Sequence, residues 1–134
     1  MENEKSEQFI SYLDTRTSAV QEDVLRLMAD HRKDEADFEK IRANIFQVIK
    51  TVFQASSRIS EEENERIKFL GSRLSFFEDT WKGFLATARE HDDDKKVLQE
   101  QTKLEALAEI QDTFQKLWGE ICACGSNLQT TERA

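Results

Sequence analysis

The sequence predicts an all-α protein, an antiparallel up-and-down bundle of four long helices. The chain has 134 residues with four glycines and no proline, which are too few turn-forming residues for an all-β fold. Its apolar residues recur at intervals of three and four, which is the helical period. Hydrophobic residues make up 38% of the chain and charged residues 34%, a balance typical of amphipathic helices with charged outer faces.

The first two helices are predicted at about 4–31 and 34–57 from their apolar spacing. Between them, the basic segment 31–33 suits a helix C-terminus and Asp34 suits an N-terminus. The three–four period nevertheless passes through this segment without a slip, and no Gly, Pro, Asn or Ser stands there. The alternative is therefore one continuous helix, giving a long three-helix arrangement. The two apolar stripes are Phe9, Ile10, Leu13, Val20, Val24 and Leu27, and then Phe38, Ile41, Ile45, Val48 and Val52.

The third and fourth helices are predicted at about 60–91 and 94–124. Ser60 and Glu63 form a capping-box pattern at the start of the third helix. Gly125 can end the fourth, because glycine adopts a positive φ at low cost. The stripes are Ile67, Leu70, Leu74, Phe77, Trp81, Phe84 and Ala88, and then Leu104, Leu107, Ile110, Phe114, Leu117 and Ile121.

The whole chain, 1–134, is predicted to form one helical-bundle domain. Short connections make neighbouring helices antiparallel. Residues 126–134 are polar and are expected to form a frayed tail. We detect no internal repeat and no second domain in the sequence.

The charge and the apolar runs limit the classes of partner. A net charge of −8 argues against binding nucleic acid or a membrane through a broad basic face. No apolar run suits a signal peptide or a membrane span, so a cytoplasmic location is expected. Cys122 and Cys124 are too few for a disulfide framework, and on a helix they point in nearly opposite directions. We interpret them as small packing residues.

A histidine followed by three aspartates, at residues 91–94, raises the question of a metal site. In an up-and-down bundle this segment meets residues 31–34 at one end. A metal-binding bundle is thus the alternative function, with histidine and carboxylate ligands. These ligands would be His31, Asp34, His91, Asp92, Asp93 and Asp94.

The simpler interpretation of residues 91–94 places them at two helix ends. His91 lies in the last turn of the third helix, one aspartate caps the fourth, and the others lie near its positive end. We therefore predict no metal and no cofactor. No catalytic constellation is recognisable either, so the protein is predicted not to be an enzyme.

Surplus apolar residues outside the main stripes are the strongest indication of function. A helix in a bundle needs one apolar stripe of roughly 100°, so a second stripe predicts contact with another chain. The partner would be a second copy, giving a homodimer, or another helical protein; a wider internal core is the alternative. The sequence thus predicts a non-catalytic interaction or structural protein that acts through apolar helix faces. The residues of this predicted interface are Phe46, Ile49, Phe53, Phe69 and Phe76.

Overall fold

Four helices make up the fold, which confirms the predicted all-α bundle. The computed structural model describes the backbone of residues 2–133 and the side chains of residues 4–119. No strand occurs within that stretch of backbone. The helices are α1 (Glu2–Ala29), α2 (Lys33–Ser56), α3 (Glu63–Glu90) and α4 (Asp94–Arg133).

A break separates α1 from α2, so the prediction of two helices is confirmed and the continuous alternative is wrong. His31 has φ = 61°, in the left-handed region. Its N–H donates to the carbonyl of Met28 at 3.1 Å, and the N–H of Arg32 donates to the carbonyl of Leu27 at 2.9 Å. This pair of bonds is a Schellman motif, which usually places glycine at the left-handed position. Histidine is one of the residues that tolerate this conformation better than most.

The connection between α3 and α4 repeats the same motif. Asp92 has φ = 54°. Its N–H donates to the carbonyl of Arg89 at 3.2 Å, and the N–H of Asp93 donates to the carbonyl of Ala88 at 3.0 Å. Asp93 then caps α4, because its Oδ1 accepts a hydrogen bond from the N–H of Lys96 at 3.1 Å. Both connections therefore end one helix and begin the next within three residues.

The helix starts and the tight connections of the two helical hairpins, α1–α2 and α3–α4, correspond at a constant offset of 61 positions, although α4 continues beyond the equivalent of the end of α2. No repeat was detected in the sequence, so this equivalence is a correction made by the structure. The offset relates Glu2 to Glu63, His31 to Asp92 and Lys33 to Asp94. It also relates buried positions in pairs: Phe9 and Leu70, Leu13 and Leu74, Val20 and Trp81, Ile45 and Ala106, Phe46 and Leu107, Ile49 and Ile110.

The hairpins pack on each other mainly through α2 and α4. These two helices are parallel, and Arg42 of α2 reaches Glu105 of α4 at 3.1 Å. Fewer contacts join α1 to α4 and α2 to α3. Exchanging the hairpins preserves this pattern, which is the arrangement expected for a pseudo-two-fold axis between α2 and α4. The axis relates two outer grooves, one between α1 and α4 and one between α2 and α3.

An aromatic cluster joins the helices near the start of α1 and α3. The ring of Phe9 lies 5.1 Å from Phe53 and 5.5 Å from Trp118, and Trp118 lies 5.6 Å from Phe114. The backbone of Trp118 is not helical (φ = −129°, ψ = 31°), and α4 is kinked there. Its indole Nε1 donates to Glu63 at 3.1 Å, which ties the cluster to α3.

Two predicted helix ends are wrong. The helix α3 begins at Glu63, and Ser60 accepts its bond from the N–H of Glu62 at 3.0 Å, so no capping box forms. Glu63 accepts from Trp118 instead, and this tertiary hydrogen bond replaces the local one. Gly125 does not end α4, which continues to Arg133. The side chains of Cys122, of Cys124 and of the predicted tail lie outside the part of the chain with described side chains.

Replacing His31 with Gly is expected to raise the free energy of unfolding by about 0.5–1 kcal/mol. Glycine adopts φ near +60° without the steric cost of a Cβ, which outweighs its larger entropy in the unfolded chain. Urea denaturation measures the change. Ala29→Gly is the matched control, and its helical position should make it cost about 1 kcal/mol. An equal loss in both variants would contradict the left-handed assignment.

Candidate interaction surface

The interface predicted on α2 belongs to the internal core. Phe46 and Ile49 are each 0% exposed within the single chain. Phe53 packs in the aromatic cluster, 5.1 Å from Phe9. The alternative interpretation, a wider internal core, is therefore correct for Phe46, Ile49 and Phe53. The physical reason is the central position of α2, which contacts all three other helices and so needs a broad apolar arc.

The exposed aromatic residues of the described chain lie on α3, whereas the other exposed large apolar residues are Leu25, Met28, Ile59 and Leu98. Phe76 is 51% exposed and Phe84 is 49% exposed, while Phe69 is partly buried. Phe84 was assigned to the main stripe from sequence, and the structure places it outside the core. Spacings of three, four and eight residues put these rings and Arg73 on one side of the helix. We call Phe69, Arg73, Phe76 and Phe84 the aromatic face of α3.

Arg73 is held against aromatic rings. Its guanidinium carbon lies 4.7 Å from the ring centroid of Phe76 and 5.5 Å from that of Phe77. These are cation–π contacts. Phe77 in turn stacks on Trp81, with 5.2 Å between centroids, and so fixes the arginine to the core. Within residues 4–119, no carboxylate forms an ion pair with Arg73.

The corresponding face of α1 is polar. The 61-residue offset relates Thr15 to Phe76 and Asp23 to Phe84. Thr15 is exposed like its counterpart, so both positions face solvent in their hairpins. One helix of the pseudo-symmetric pair thus folds without these rings. The aromatic face is not a requirement of the hairpin fold.

Three side chains close the groove between α1 and α4. The carboxylate of Glu109 accepts from the Tyr12 hydroxyl and from Arg16 Nε, the latter at 2.8 Å. Burial and the hydrogen bond to Glu109 raise the pKa of the Tyr12 hydroxyl above its usual range. The same carboxylate raises the pKa of Arg16. The phenol therefore stays protonated and the guanidinium charged at neutral pH. The sequence did not indicate this bridge, because its members are more than 90 positions apart.

Residues 91–94 form a helix connection. His91 Nδ1 lies 2.9 Å from the carbonyl oxygen of Thr87, and Asp93 caps α4 as described above. His31, Asp34, Asp92 and Asp94 are exposed. In the part of the chain with described side chains, no three histidine, cysteine or acidic residues are placed to hold a metal ion. The geometry therefore gives no support to the alternative of a metal centre.

Glu100 is a buried acid that the sequence analysis missed. Its side chain is 0% exposed, with Oε2 at 3.1 Å from the Nζ atoms of both Lys96 and Lys103. Its Oε1 has no hydrogen-bond partner among the described residues. A signal was present, because Glu100 lies seven residues before Leu107 and so falls on the core stripe of α4.

No family model matches the chain, and neither a curated protein nor a solved structure shows significant similarity to it. Among the described residues, none of the helices combines the length and apolar character needed to cross a membrane.

Glu100→Met is expected to leave the stability unchanged or to raise it by about 1 kcal/mol. The change removes a desolvated oxygen without a partner and nearly preserves the side-chain volume. Urea denaturation of both proteins measures the difference. Glu39→Met is the matched control at the equivalent position of α2, where the carboxylate is partly exposed and the effect should stay within about 0.5 kcal/mol. A loss of about 2 kcal/mol or more at Glu100 would show that its charge is needed.

Proposed function

We propose that this protein is a non-catalytic helical interaction module that binds another helical protein through the aromatic face of α3. One observation carries the proposal: Phe76 and Phe84 are half exposed where the equivalent positions of α1 hold Thr15 and Asp23. The hairpin fold does not need these rings, so their exposure has another cause. A binding surface supplies one, since clustered exposed apolar residues mark interaction sites.

The composition of the aromatic face supports a contact surface. Aromatic residues and arginine are enriched at interfaces and dominate their energetics. Burying a phenylalanine completely contributes about 1.5–3 kcal/mol, so covering the exposed halves of Phe76 and Phe84 contributes roughly 2 kcal/mol together. Arg73 adds a charged donor that the rings already hold in place. This scale suits a reversible interaction.

Self-association is the less favoured mode of binding. Three of the five residues on which its prediction rested, Phe46, Ile49 and Phe53 of α2, pack inside the chain, which leaves only Phe69 and Phe76 of α3. A two-fold contact between two aromatic faces would also bring two Arg73 side chains toward one axis, with like charges opposed. We therefore propose a different helical protein as the partner. The described clusters of titratable groups join or brace helices, which favours binding over catalysis.

Photocrosslinking in the cells that produce the protein tests the proposal. A benzophenone amino acid at position 76 should give one adduct of defined mass, and Phe84→Ser should weaken it. The same probe at position 15 is the matched control, because Thr15 is the exposed equivalent on α1, and it should give no such adduct. Equal adducts at both positions, or none at position 76, would contradict the proposed function. An adduct of twice the chain mass would contradict the choice of partner.

A further inference from the structure

We infer that the groove between α2 and α3 binds an acidic amphipathic helix, whose carboxylate pairs with Arg73 and whose apolar residues cover Phe76 and Phe84. This inference rests on the proposed function and adds the chemistry of the partner. It follows from comparing the two grooves that the pseudo-two-fold axis relates.

The groove between α1 and α4 contains its own carboxylate. Glu109 of α4 accepts hydrogen bonds from two residues of α1, and so spans the groove. The 61-residue offset identifies the equivalent positions in the second groove. It relates Tyr12 to Arg73, Arg16 to Phe77 and Glu109 to Val48.

The second groove has the cation but not the acid. Arg73 stands where the first groove has the Tyr12 phenol, and Val48 stands where it has the Glu109 carboxylate. The hydrogen bonds and ion pairs between helices described above join α1, α2 and α3 to α4, and none of those described joins α2 to α3. Arg73 is paired with no carboxylate in residues 4–119. A guanidinium fixed on aromatic rings is a prepared donor for a carboxylate, because two of its five N–H groups can bind the two carboxylate oxygens at once.

Around Arg73 the walls of this groove are uncharged or basic; Asp37, on the same side of α2 as Val48, lies near the start of that helix and is paired with Lys33 at 3.2 Å. On α2, Val48 and Val52 are partly buried against the core, and Asn44 and Thr51 are exposed. On α3, Glu65 lies at the edge of this side, eight residues before Arg73, and no acidic residue lies between them. The α3 positions on that side are Arg66, Phe69, Arg73, Phe76, Thr80, Phe84 and Thr87. In a chain of net charge −8, such a groove favours an acidic ligand over a basic one.

The spacing of the rings suits a helix as the ligand. Phe76 and Phe84 are eight residues apart, which corresponds to about 12 Å along α3. A partner helix of about three turns covers this length with apolar residues at i, i+3 or i+4, and i+7. The partner's acid would occupy the place that Glu109 holds in the first groove.

Three lactam-locked helical peptides test this inference against the full chain. They share one leucine spacing and carry Glu, Gln or Lys on the flanks, and fluorescence anisotropy measures their dissociation constants. We expect the Glu peptide to bind about tenfold more tightly than the Gln peptide, and the Lys peptide to bind least. Arg73→Gln should abolish the preference for Glu over Gln. Phe76→Ser should weaken all three peptides, while Arg26→Gln, a change of an exposed arginine on α1, should alter none.

The outcomes separate the inference from the proposed function. If the three peptides bind equally to the wild type and Phe76→Ser weakens them all, the surface is correct and the carboxylate selection is wrong. If no peptide binds, or if Phe76→Ser changes nothing, both are wrong. If sedimentation shows a dimer that excludes the peptides, the groove holds a second copy and the inference is overturned.

Discussion

The left-handed residue in each three-residue connection fixes the register of its hairpin. His31 and Asp92 take φ = 61° and 54°, and in each case the residue that closes the Schellman motif is also the N-cap of the next helix. Each connection has only three residues, so the second helix of each hairpin begins four residues after the first one ends. The two hairpins therefore repeat one geometry although few of their residues are identical.

The arrangement of the core follows from that repeated geometry. Two equivalent hairpins pack with α2 and α4 in contact at the axis, and α1 and α3 lie outside. A central helix must be apolar over a wide arc, which is why Phe46 and Ile49 are fully buried. An outer helix needs only one stripe. On α3 the additional Phe76 and Phe84 exceed that need, whereas α1 has no such surplus at the equivalent positions.

Much of the fold could be predicted from local pattern. The three–four period identified all four helices, and the change from basic to acidic residues at 31–34 identified the break without a glycine. The aspartate cap of α4 was also predicted, and Asp93 provides it. These features depend on residues within one turn of each other.

Features that depend on distant residues escaped the sequence analysis. The sequence of one helix shows which residues are apolar but not how many neighbouring helices will cover them. The prediction of an interface on the face of α2 that lies in the core is wrong for this reason. The bridge of Tyr12 and Arg16 to Glu109 joins opposite ends of the chain. The repeat was hidden because its clearest identity is short, Glu-Asn-Glu at 2–4 and again at 63–65, and because equivalent core positions hold different apolar residues.

If the two grooves are equivalent, the α2–α3 groove lacks only a carboxylate at position 48. A double-mutant cycle of Val48→Glu and Arg73→Gln, followed by urea denaturation, tests this equivalence most directly. We predict a favourable coupling of about 0.5–1 kcal/mol between Glu at position 48 and Arg73, reduced by high salt, because the new acid would span the groove as Glu109 does. The cycle removes the separate cost of placing Glu at a partly buried position. A coupling of zero would contradict the equivalence of the grooves and the account built on it.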